Sequence, residues 1–375
     1  MIVPNWFHTR EAVVLTLLKT RFSAQILKAT LSTLYYSGVY EIAAPFTRGE
    51  GVIFMLHRVT PEPVQPFEPN RILKVTPEFL DKVIRLVVEA GFDLLSIDEV
   101  PERLARGGGE RPFAVFTLDD GYRDNLHYAL PVFRRYSAPF TVYLPTDYMD
   151  GKGDLWWLML ERVIANSERV SVRKDGCEHH YDTATIASKK TAHSQIYWWL
   201  RSLPEKEARK VVGELAAARG YDSDALCREL IMNWDEVRTL AADPLVTIGA
   251  HTLGHYAVAK LDRASAHHEM KASIARIEQE LNRPCQHFSY PYGCANSAGE
   301  RDFELARELG LKTAVTTRKG QIDAGHRESL TQLPRFSLNG DYQDLRHIKV
   351  LLSGLPFRLW NKLSRSRVPE ADATI

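Results

Sequence analysis

The chain has 375 residues, 45% of them hydrophobic and 25% charged, which fits a folded globular protein and excludes a low-complexity one. Its 48 Lys and Arg offset 47 Asp and Glu to a formal net charge of +1, so no global charge signal points to nucleic acid. The length allows one large domain with insertions or two smaller ones, and no run approaches the roughly 20 apolar residues that cross a bilayer. Four cysteines (Cys177, Cys227, Cys285, Cys294) form no Cys-x-x-Cys pair, which argues against a cysteine zinc knuckle and for free thiols in a reducing compartment.

Residues 11–45 read as helical, with Leu15, Leu18, Phe22, Ile26 and Leu34 recurring between Lys19, Arg21 and Lys28. Two readings follow: a helix packed on the main domain, or a basic amphipathic segment making peripheral contact with a membrane. The apolar stretch Ala12–Leu18 is ended by Lys19 and Arg21 without a cleavage site, so a secretory signal is not expected. The expected location is the cytoplasm, with membrane association under the second reading.

From residue 51 short β-rich runs alternate with helical patterns: Val52–Leu56, Phe113–Leu118, Phe140–Leu144, Leu245–Ala250, His287–Tyr290 and Leu311–Thr316, with weaker runs at Leu333–Leu338 and Leu94–Ile97. Helices are expected at about 77–90, 125–136, 263–281 and 299–309, the first opened by Thr76 as N-cap and Pro77. This alternation predicts a mostly parallel α/β sheet or barrel. Residues 151–233 break the rhythm and read as a mainly helical insertion, whose Trp156-Trp157 and Trp198-Trp199 pairs either anchor it to the barrel or stack on sugar rings. The division expected is an N-terminal helical extension (1–48), a barrel (49–345), and a C-terminal helix with a polar tail (346–375).

Three segments carry chemistry. In Phe116-Thr117-Leu118-Asp119-Asp120-Gly121-Tyr122 an apolar strand runs into two adjacent carboxylates, whose repulsion a cation or shared proton would relieve. In Gly249-Ala250-His251-Thr252-Leu253-Gly254-His255 two histidines stand four apart, so a helical turn would set them on one face as metal ligands. Phe288-Ser289-Tyr290-Pro291-Tyr292-Gly293 ends a further strand at a corner able to present a backbone N–H. All three lie at C-terminal ends of predicted strands, which in a parallel barrel form one face. Asp120 with two histidines makes a three-ligand site with a position open for water.

These motifs resemble those of the polysaccharide deacetylase family, the NodB homology domain of the carbohydrate esterases, over roughly residues 50–345 without the insertion. The resemblance implies an irregular (β/α) barrel of about seven strands and removal of N-acetyl groups from an N-acetylated amino-sugar glycan. It implies Asp119 as general base and Asp120, His251 and His255 as ligands of a divalent metal, usually Zn2+, with Co2+, Ni2+ or Fe2+ serving in some members. Thr252 would orient the histidine turn, and the Tyr292 backbone N–H would meet the oxyanion.

The sequence departs from the family's usual pattern in three places. The Arg that pairs with the base before Pro-Tyr-Gly is replaced by Ser289-Tyr290; Thr316-Thr317-Arg318 stands for a late Asp-Trp; and Leu338-Asn339-Gly340-Asp341 stands where a late Leu-x-His supplies the general acid. The acid is expected instead at His57, because Val52–Leu56 followed by His57 has the texture of that last strand moved to the front. This resembles the circularly permuted subgroup that acts on poly-N-acetylglucosamine. The other reading of His57 is a strand-capping histidine beside Arg58, with His326 and His347 as rival acids. A metal-dependent hydrolase of another amide or O-acetyl ester, or a degenerate glycan-binding module, remain alternatives; the latter has no need of a base.

Overall fold

The computed structural model describes residues 26–107 and 109–364. Expectations for Leu15, Leu18, Phe22 and the polar tail from residue 365 therefore lie outside the described residues.

Seven parallel strands close a barrel: β1 (Gly51–Leu56), β2 (Phe113–Leu118), β3 (Phe140–Leu144), β4 (Val246–Ala250), β5 (His287–Ser289), β6 (Thr313–Lys319) and β7 (Leu333–Ser337). They run round the barrel in chain order, and closure comes from β1, which pairs with β2 along its whole length and with β7 at Phe54 and Met55. The short strand Asp93–Leu94 pairs in parallel with Phe113 and Ala114 at the start of β2. These strands read as continuous apolar runs because both of their faces are covered. Inward, Ile53, Val115, Tyr143, Val315 and Leu333 form one buried cluster. Outward, Phe54 stacks on Phe116 at 4.8 Å, and Phe133 of the helix Leu130–Arg135 stacks on Phe140 at 4.2 Å.

The crossover helices follow the predicted pattern. Pro77–Glu89 is capped by Thr76, whose Oγ1 accepts from the Phe79 N–H at 3.1 Å, and Arg263–Leu281 starts at Asp262. Between β3 and β4 the chain forms helices Trp156–Ala165, Ile186–Ser202, Glu205–Ala217 and Ala225–Leu230. It also forms an antiparallel hairpin, Arg169–Lys174 with Cys177–Asp182. The hairpin is absent from the sequence reading because one strand alternates only at Val170 and Val172 and the other, Cys-Glu-His-His-Tyr-Asp, has no apolar face. Residues 26–37 and Val39–Thr47 are helical and pack against Leu345–Leu352 and Leu355–Ser364, with Leu31, Tyr40 and Val350 as a small shared core. Among the described residues no helix is long and apolar enough to cross a membrane.

Candidate active site

The three chemical segments meet where β2, β4 and β5 end. Asp119 and Asp120 follow β2, His251 follows β4, and Tyr292 lies three residues past β5. All but Tyr292 are nearly inaccessible, and Tyr292 is partly buried. Four residues here are non-glycines in the left-handed region: Asp120 (φ 74°), Thr252 (66°), His255 (59°) and Tyr292 (61°). Such backbone costs on the order of 1–3 kcal/mol each and persists only where surrounding structure enforces it.

The histidine spacing does not act through a helical turn. Residues 251–257 contain no helix, and the left-handed Thr252 and His255 fold the segment as a loop. Its backbone is held from outside. Glu269 accepts from the N–H groups of Leu253 and Gly254 at 3.0 and 3.1 Å, while Arg209 Nη2 of the insertion donates to the Gly254 and His255 carbonyls at 3.0 Å. The Thr146 and Asp147 N–H groups donate to Thr252 and Leu253 carbonyls. Thr252 Oγ1 accepts weakly, at 3.3 Å, from the Tyr256 N–H.

The loop still brings the two imidazoles onto Asp120. One ligand atom from each of Asp120, His251 and His255 lies within 4.8 Å of the other two. Asp120 Oδ1 is 3.6 Å from His251 Nε2 and 3.3 Å from His255 Nε2, and it is buried without a hydrogen-bond partner. His251 Nδ1 donates to the Ser289 carbonyl at 2.6 Å, which leaves Nε2 as the lone-pair nitrogen facing Asp120. Burial pushes the His251 imidazole down to about 4, against the pull of Asp119, so the ring is neutral at pH 7. A neutral imidazole, an orphaned carboxylate oxygen and a second imidazole are a donor set that fits a divalent cation.

Asp119 is held by a residue that the sequence reading missed. Arg335, in the middle of β7, reaches Asp119 with both terminal nitrogens, Nη1 to Oδ1 at 2.8 Å and Nη2 to Oδ2 at 2.7 Å. Its remaining N–H groups reach Thr117 Oγ1, Ser289 Oγ and the Thr316 carbonyl, so the full set of five donors is used. Burial alone would raise the Asp119 carboxyl, but the guanidinium outweighs it and holds the group well below the usual carboxylate range. The available signal was a charged residue at the centre of the apolar run Leu-Pro-Arg-Phe-Ser-Leu, a place where charge survives only if paired.

His57 follows β1 and lies close enough to Asp119 and Asp120 to act on both electrostatically, which places it beside the pair. Its turn is clamped from the segment after Asp120: Asn125 Nδ2 donates to the His57 carbonyl at 2.8 Å, and the neighbouring Arg58 pairs with buried Asp124 at 2.8 Å. His326 bonds to Asp323 and His347 to Ser32, both away from this cluster. The Tyr292 carbonyl accepts from Thr317 Oγ1 at 2.6 Å. Gly293 follows with φ 58°, where an added Cβ would stand 2.5 Å from the Thr317 nitrogen, so only glycine lets the corner close. Of the tryptophans, Trp156 and Trp157 are buried; Trp156 Nε1 donates to Tyr292 Oη at 2.9 Å, and the Trp157 ring lies 5.0 Å from His255. Trp198 is exposed.

Comparison with solved structures shows the same fold in deacetylases. The Streptococcus pyogenes deacetylase PplD, in complex with acetate, aligns with TM-score 0.53 and 17% identity over 80% of this chain and 96% of its own. The putative polysaccharide deacetylase BA0330 from Bacillus anthracis gives 0.51 and 13%, over 81% and 69%. IcaB from Ammonifex degensii gives 0.50 and 13%, over 82% and 97%. No curated protein matches the sequence. The family model for polysaccharide deacetylase matches residues 106–314, more than half of the chain and the whole stretch from Asp119 to Tyr292, and on that match the chain belongs to the polysaccharide deacetylase family.

Proposed function

We propose that the chain hydrolyses N-acetyl groups from N-acetylhexosamine units of a polysaccharide or oligosaccharide. The reading rests above all on one juxtaposition: an ionised, arginine-clamped Asp119 directly beside the buried Asp120–His251–His255 trio. The trio would hold a divalent ion, zinc being the usual choice for such ligands, and the ion supplies Lewis-acid polarisation and a more acidic water at neutral pH. Asp119 accepts the proton of the attacking water. The Tyr292 backbone N–H, whose residue is fixed by Thr317 and Trp156, donates to the oxyanion as the carbonyl carbon becomes tetrahedral. His57 then donates a proton to the nitrogen, so that the C–N bond breaks to acetate and a free amine rather than to an amide anion.

The decisive experiment is acetate release from a panel of N-acetylated oligosaccharides, with chelator-stripped protein as control. Release from N-acetylglucosamine oligomers that stops on stripping and returns with metal is the expected result. Release only from O-acetylated xylan would move the chain to ester chemistry. Stoichiometric metal with no release from any substrate would make it a binding module.

A further inference from the structure

The large exposed apolar side chains concentrate away from the site, on the helices around the chain's ends. In Val39–Thr47 the side chains of Val39, Ile42 and Phe46 share one helical face, and Ile42 and Phe46 are 77% and 84% exposed. The opposite face is satisfied: Tyr40 packs with Leu31 and Val350, and Thr47 Oγ1 donates to the Ser353 carbonyl. Packed against this helix is Leu355–Ser364, which leaves Trp360 56% exposed while Phe357 enters the core. An apolar face this open, built from aromatic and branched side chains, marks an interaction surface.

Charge indicates what covers it. From Leu345 to Val368 the sequence has no acidic residue and six basic ones: Arg346, Lys349, Arg358, Lys362, Arg365 and Arg367. Arg346, Lys349 and Arg358 are exposed, and of these Arg346 is paired with Asp344, just outside that stretch. From Ala12 to Tyr40 there is again no acid, while Lys19, Arg21 and Lys28 stand among apolar residues, and this stretch runs into the patch at Ile26. A chain of net charge +1 thus has no acid in the two segments flanking its most exposed apolar face, Glu41, bonded by Tyr40, being the one acid on the helix Val39–Thr47 itself. A protein partner of ordinary surface composition asks for no such exclusion; a sheet of negative charge over hydrocarbon does.

We propose that this face docks on the interfacial region of an anionic lipid bilayer, with Ile42, Phe46 and Trp360 entering the headgroup–acyl boundary and the flanking Lys and Arg pairing with lipid phosphates. The chain joins the barrel at the N-terminal end of β1, the end remote from His57, so docking leaves the site's residues untouched.

The test is co-sedimentation of the full chain with phosphatidylcholine vesicles, with and without phosphatidylglycerol. The wild type is expected to bind the anionic vesicles, weakly or not at all the neutral ones, and less as salt rises. Ile42→Ser/Phe46→Ser/Trp360→Ser, and separately Lys349→Glu/Arg358→Glu, should each weaken binding by on the order of tenfold or more. Circular dichroism should show both variants folded. Absence of wild-type binding to anionic vesicles, or equal binding by folded variants, overturns the proposal. A wild-type dimer in light scattering that the triple variant dissolves, without vesicle binding, assigns the face to a second copy. Vesicle binding that appears only after residues 1–25 are deleted assigns it to the chain's own N-terminal segment.

Discussion

Arg335 and Asp119 form an ion pair with almost no access to water, and such pairs are valuable mainly as pairs. Removing the guanidinium leaves a carboxylate buried and uncompensated. Arg335→Gln should therefore destabilise the fold by about 3–5 kcal/mol and raise the Asp119 carboxyl. Thermal melting of Arg335→Gln beside the double variant Arg335→Gln/Asp119→Asn checks this: the double variant should recover part of the loss, and equal melting of the two would mean that Asp119 is not what Arg335 serves. The neighbouring carboxylate should behave differently. Asp120→Ala, His251→Ala and His255→Ala should each lose bound metal, whereas Asp119→Asn should keep it and lose roughly 10²–10⁴ of its deacetylation rate. Metal analysis alongside acetate release separates the two classes, and full occupancy in all three ligand variants would refute the ligand set. The ligand candidates were legible because a paired carboxylate and a paired histidine are rare local patterns. Arg335 was not, since its partner lies 216 residues away and nothing local announces the bond.

At the level of elements, six of the seven barrel strands fall within a residue of their expected limits, because a strand buried on both faces is a plain apolar run; the sixth, expected at Leu311–Thr316, is Thr313–Lys319, and the run expected at Leu94–Ile97 pairs only as Asp93–Leu94. The His251–His255 segment defeated the same approach. Its spacing is helical, but Arg209, Glu269 and the backbone after β3 override local preference and bend it into a loop. The first strand carries the more consequential expectation. β1 sits between β7 and β2 and runs directly into His57, as a last strand moved to the front of a closed barrel would. His57→Ala should fold, retain metal and lose roughly 10²–10⁴ in kcat, while His326→Ala and His347→Ala stay active. Full activity in His57→Ala would send the search for the acid elsewhere.

Across the whole molecule, the insertion is part of the barrel's architecture rather than an appendage. It buries Trp156 and Trp157 against the site, and it carries His193 between Phe67 and Tyr197 with Nε2 unpartnered. Burial pushes that imidazole down to about 4. The unfolded chain takes up the proton near pH 6.5, so folded stability is full above that value and falls as pH drops towards 4, by about 3 kcal/mol in total. His193→Phe should remove this component. Melting temperatures at pH 7 and 4.5 should diverge less in the variant than in the wild type, and identical pH dependence would show that the buried ring is not the source.

Synthesis order gives the Arg335–Asp119 pair another meaning. The base and every ligand candidate are synthesised by residue 255, but the counter-charge of the base comes 80 residues later, on the strand that also completes the ring beside β1. Until then β1 has one neighbour and Asp119 has no guanidinium. Closing the ring without Arg335 in place would bury the Asp119 carboxylate unpaired, a cost that favours leaving it solvated until β7 arrives. Closing the barrel and burying the base as an ionised pair become one event, set by the arrival of β7 and the arginine it carries.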